Sequence, residues 1–188
     1  MRPLNPQQLQ TKHTNTPPPP RKITMSFTSP TKRRVTPRPY KPADWRVQRS
    51  TNHLMQSPIS FDYRHTSASL AGQGVAMRDL RLQGNATRIE GANDLVLAHS
   101  GLARITFRII WPGYEHVEWC RTMSIVSDHG APITRLGLAI QVASSFAHWT
   151  EKTQYEKPTS PEWMVSPACV QFKHMYLVSL HVRKRLAG

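Results

Sequence analysis

Residues 104–152, RITFRIIWPGYEHVEWCRTMSIVSDHGAPITRLGLAIQVASSFAHWTEK, decide the fold, because two hydrophobic periods meet in them. Ile105, Phe107 and Ile109 alternate with Thr106 and Arg108, the pattern of a strand with one face in a core. Trp111-Pro112-Gly113-Tyr114 ends it. Pro112 has no N–H for a strand ladder and Gly113 accepts a positive φ, so the chain turns. Residues 117–126 then read as a second, less regular strand, with Met123 and Ile125 inward and Trp119 and Cys120 as further inward candidates.

The same stretch ends in a helix. Thr134 is a good N-cap, since its hydroxyl can accept an N–H from the first turn. Ile133 sits just outside, where it can pack on Leu138. Leu136, Ala139, Val142, Ala143, Phe146 and Trp149 follow at spacings of three and four. Leu138 and Ile140 widen that stripe, so the helix is expected to be covered on more than one side. Gly137 weakens it by roughly 1 kcal/mol against Ala, which suggests that another backbone comes close there. Lys152 suits the negative end of the helix dipole.

Outward from this centre the signals are shorter. Residues 157–167 hold three prolines and form a loop pinned by Trp163. Residues 169–172 and 175–182 read as strands, with Tyr176, Val178, Leu180 and Val182 as the inward row of the second. Upstream, Ile59, Phe61 and Tyr63 alternate as a short strand. Residues 79–83 read as another, stopped by Gly84-Asn85, with a brief return at 87–90. A turn at 91–94 precedes a short strand or single helical turn at 95–99. The sum is an α+β domain: a mostly antiparallel sheet of roughly five to seven short strands, with one main amphipathic helix on one face.

Charge divides the chain. It carries +14 overall, but residues 1–50 hold eleven Lys and Arg against the single acid Asp44, and ten of the sixteen prolines. Such a segment cannot offset its ordering entropy by burial, so residues 1–50 are expected to be a disordered, basic, Pro-rich tail. Residues 51–182 form the domain and 183–188 a basic end. Met25 offers a second start within the tail. No stretch is long and apolar enough to span a membrane, and the four prolines at 17–20 oppose the amphipathic helix of a mitochondrial presequence, so nucleus or cytoplasm is the expected location. Without a secretory signal, Cys120 and Cys169 are expected as free, buried thiols.

The tail is the strongest chemical signal. Lys32, Arg33, Arg34 and Arg38 can contact phosphates or serve as a nuclear-import signal. Lacking interleaved aromatics, the tail would bind nucleic acid weakly and without sequence preference. Ser29 precedes Pro30 and Lys32, the pattern of a proline-directed phosphorylation site that would offset part of this charge. Catalytic and metal signatures are weak. Ser127-Asp128-His129 places three triad residue types side by side, where they cannot converge, and reads as a turn. His116 and Cys120 lie about 13 Å apart along a strand. No cofactor or metal is assigned. Trp111 and Tyr114, at the turn, together with Arg135 at the start of the helix, are the candidates for a protein-partner surface.

Trp111-Pro-Gly-Tyr114, Pro132-Ile-Thr-Arg135, Tyr155-Glu-Lys-Pro-Thr-Ser-Pro161 and Tyr176-Leu-Val-Ser-Leu-His181 together resemble a family of basidiomycete fungal proteins with no assigned activity. The resemblance covers about residues 95–181 and breaks at Val182. It implies no functional residue. The function expected is therefore non-catalytic: an intracellular protein-interaction domain, with a nucleic-acid-associated protein acting through its tail as the alternative.

Overall fold

The computed structural model describes Arg33, Val35 and residues 57–64, 71–127 and 129–182. Through them the chain runs β1 (Ile59–Ser60), β2 (Val75–Ala76), α1 (Met77–Gln83), β3 (Arg104–Ile109), β4 (Trp119–Ser124), α2 (Arg135–Thr153), β5 (Tyr176–Leu177) and β6 (Ser179–Leu180). Single 3-10 turns lie at Gly84–Ala86, Ala98–Ser100, Pro161–Trp163 and Phe172–His174. Helices and antiparallel strands are thus mixed, as the α+β reading requires.

The strands pair two by two and do not join one sheet among the described residues: β3 with β4, β2 with β5 and β1 with β6. β3 and β4 form an antiparallel hairpin, with Ile105 opposite Met123 and Ile109 opposite Trp119. Its apolar face meets α2, where the Phe107 and Phe146 rings stand 6.1 Å apart edge to face. The last strands close the other side. Val75 pairs with Leu177, Ile59 pairs with Leu180, and Phe61 N donates to Val178 O between them at 2.9 Å. Strands of two residues cannot extend a ladder to the hairpin, which explains the divided sheet.

Helix α2 follows its sequence closely. The Thr134 hydroxyl accepts from Gly137 N at 3.1 Å. Leu138, Ala139, Val142, Ala143 and Trp149 are buried, while Leu136 and Phe146 are half-buried against the same core. The glycine in its first turn has a different cause from the one expected. A Cβ at Gly137 would lie 3.2 Å from Ile133 Cγ1 and from Thr134 Oγ1, so the crowding comes from the cap's own side chains.

Four local expectations are corrected. Residues 79–83 belong to a helix: Met77 and Leu80, three apart, are buried, whereas Leu82 is 70% exposed. Leu80 and Leu82 have the spacing of one strand face, but on a helix they point apart, which leaves Leu82 outside. The inward row of the last segment starts one residue off, at Met175 and Leu177, with Tyr176 exposed. Val75, wholly buried, is the partner that draws Leu177 in. Residues 169–172 give way to the turn Phe172–His174, where Gln171 N donates to His174 Nδ1. Cys120 lies on the outer face of the hairpin, opposite Arg108. It is exposed and Cys169 half-exposed, so both thiols are free but neither is buried.

The stretch read as a tail lies, Arg33 and Val35 apart, outside the described residues. Arg33 is exposed, and Val35 packs half-buried against the domain's core. No helix among the described residues is long and apolar enough to cross a membrane.

Candidate docking groove

The short helix α1 turns Met77 and Leu80 into the core. That leaves Arg78, Arg81 and Leu82 on its outer side, all exposed. Gly84, at φ +52°, ends the helix, and its N–H bonds back to Leu80 O. α1 packs on α2, which contributes Ala147 and, one turn later, Glu151. The turn at 171–173 closes the third side with Gln171, Phe172 and Lys173. Together these elements bound an open groove of about 490 Å³.

Its chemistry is uneven. Leu82, Phe172 and Ala147 supply apolar surface, and Leu82 is the most exposed leucine among the described residues. Arg78, Arg81 and Lys173 supply three cations, and Glu151 is the one carboxylate among the lining residues. The described ion pairs, Arg108–Glu118 and Arg135–Asp94, involve none of these cations. Three guanidinium or ammonium groups and an uncovered leucine thus share one concave surface.

The residues first assigned to a partner surface do other work. Trp111 is 9% and Tyr114 1% exposed, so neither can rim a groove. They bind the loop that follows α2. Trp111 Nε1 donates to Trp163 O at 3.1 Å, Val165 N donates to the Tyr114 hydroxyl at 3.0 Å, and Thr159 N donates to Gly113 O at 2.8 Å. An amphipathic ring with a polar tip serves such a wall well. Arg135 is likewise structural. It donates to Ser60 O at 2.7 Å and pairs with Asp94 at 2.9 Å, tying the start of α2 to β1 and to the turn at 91–94. Lys32, Arg34, Arg38 and Ser29 lie outside the described residues, and Arg33 is exposed. Ser127 N donates to Ala131 O and Gly130 N to Ser127 O, bonds that fit the expected turn; Asp128 lies outside the described residues.

A second polar cluster sits where β1 leaves the core. The Tyr63 hydroxyl donates to Asp79 Oδ2 at 2.5 Å and accepts from Ala76 N at 3.1 Å. Burial, then the bond to Asp79, pushes the phenol up from 10.0 to about 12. A folded-state value above the unfolded one means that the native state holds the proton more tightly. Its stabilisation is full below about pH 10 and is lost as pH rises through about 12. The Tyr63→Phe difference in a spectrophotometric titration is expected to show one phenol ionising near the upper value. An ordinary titration for that residue would exclude the hydrogen bond to Asp79. Among the described residues, no three His, Cys, Asp or Glu gather as a metal site.

No family model matches this chain, and neither a curated protein nor a solved structure shows significant similarity to it.

Proposed function

We propose that the chain is a non-catalytic protein-interaction domain whose docking surface is the groove between α1, α2 and the turn at 171–173. One observation carries this reading: Leu82 stands 70% exposed and lines the same open groove as Phe172. Covering such a side chain is worth roughly 1.5–3 kcal/mol, available to whatever occupies the groove. Membership of the basidiomycete family, and a nuclear or cytoplasmic setting, belong to the same proposal and rest on the sequence resemblance and composition. The test is a photo-cross-linking amino acid placed in the full chain at Leu82, with Arg104 on the hairpin's outer face as control. A discrete adduct at the first position, absent at the second, is expected in cells of the source. No adduct at Leu82, or the same ladder at both positions, would reject the groove.

A second reading is favoured by the concentration of charge in residues 1–50. There Lys32, Arg33, Arg34 and Arg38 contact nucleic-acid phosphates. Binding to mixed-sequence DNA and RNA should then weaken steeply with salt and disappear from a chain beginning at Pro42. Equal binding by the shortened chain would assign it elsewhere.

A further inference from the structure

The groove's composition narrows its occupant, an argument that rests on the docking reading above. Arg78 and Arg81 stand one turn apart on α1, and Lys173 faces the same space from the turn beyond α2. Among the described residues no carboxylate pairs with any of the three. Leu82 and Phe172 lie among them, with Ala147 behind. A surface that mixes cations with apolar side chains is matched by a segment that mixes carboxylates with apolar side chains. We infer that the groove binds an acidic, amphipathic peptide segment of a partner protein, its carboxylates meeting Arg78, Arg81 and Lys173 and one bulky apolar side chain packing on Leu82 and Phe172.

Other occupants fit less well. The chain's own first fifty residues carry eleven basic groups and one acid, the wrong sign for this surface. A nucleic-acid strand would find its phosphates set against Glu151 and its backbone laid over an exposed leucine. A small cofactor needs enclosure over most of its surface, and this groove is open. Charge complementarity brings the acidic segment in quickly and fixes its register, while the apolar contact holds it.

The probe is a fluorescein-labelled synthetic peptide of about 14 residues, alternating Glu with Leu and Phe at helical spacing. Two partner peptides accompany it, one with every Glu changed to Lys and one with the apolar residues changed to Ser. Fluorescence anisotropy with the full chain is expected to give saturable binding for the acidic amphipathic peptide alone. Affinity should fall at least about tenfold in Arg78→Glu/Arg81→Glu and in Leu82→Ser, and severalfold as salt rises. The double charge reversal should also acquire affinity for the lysine peptide. All three substituted positions are exposed, and unchanged thermal unfolding confirms that the variants fold. Equal binding of the Ser-substituted or lysine peptide to the wild-type chain overturns the inference. So does displacement of the probe by an oligothymidine strand that is indifferent to Leu82→Ser, or no binding of any peptide. A discrete cross-link at Leu82 together with silent peptides would reject the acidic partner class and leave the groove itself standing.

Discussion

Trp149→Ala is expected to cost about 3–5 kcal/mol, a large part of the stability of a domain this size. The side chain is 1% exposed. Its ring lies 5.3 Å from Trp111, 5.9 Å from Phe146 and 6.2 Å from Tyr114. Through these neighbours it supports both the hairpin and the loop after α2, because Phe146 meets Phe107 and Trp111 meets Trp163. An alanine leaves a space that rings anchored in the turn at 111–114 and on α2 itself cannot collapse to fill. The cost should therefore sit at the upper end of large-to-small substitutions, with Trp149→Phe intermediate. Denaturant unfolding measures it, and limited digestion with a glutamate-specific protease shows where it is felt. Cleavage at Glu162, in the loop held by Trp111 and Tyr114, should accelerate before global unfolding. A loss below about 1 kcal/mol would mean that the cluster adds little beyond ordinary burial.

What the sequence revealed of this fold tracks the length of its periods. The hairpin and α2 were legible because six-residue strands and a nineteen-residue helix repeat their pattern enough times to be unambiguous. The cap at Thr134 was legible because capping is local chemistry. Where an element spans only two residues, parity carries no information until its partner is known, and for that reason the last segment reads one position off at Met175 and Leu177, although Leu180 and Val182 do pack against the core. The seven-residue α1 has only two buried residues, too few to separate a period of 3.6 from a period of two. The candidate site suffered most from this ambiguity. It depends on α1 being a helix that leaves Leu82 outside, and on a turn at 171–173 that read as strand. Trp111 and Tyr114, conversely, were visible as special residues, but a sequence does not say whether an aromatic at a turn faces water or a returning loop. The bond from Trp111 Nε1 to Trp163 O spans 52 residues, and no local pattern announces it.

Gly74→Ala should be the most damaging of the glycine substitutions, and comparison with Gly72→Ala isolates the reason. Both glycines have left-handed backbones, at φ +81° and +76°. Both N–H groups are donated to Asp62 Oδ1, at 3.2 and 2.9 Å. A side chain there costs roughly 1–2 kcal/mol in either case from backbone strain alone. Their surroundings differ. A Cβ at Gly72 would meet nothing within 4 Å, whereas at Gly74 it would lie 2.5 Å from Leu177 O, 2.8 Å from Leu177 C and 2.9 Å from Val178 Cγ2. Two of those atoms are backbone and cannot rotate away. Relief requires β5 to move off β2, which breaks the pairing of Val75 with Leu177 and uncovers two buried side chains. The total expected for Gly74→Ala is therefore about 3 kcal/mol or more, against about 1–2 for Gly72→Ala. Trimming the one movable obstacle, by Val178→Ala in the Gly74→Ala background, should recover little, because the carbonyl remains in place. Equal losses at the two glycines in denaturant unfolding would show that β5 yields freely. The closure of the last strands on β2 would then contribute much less to the fold than their burial implies.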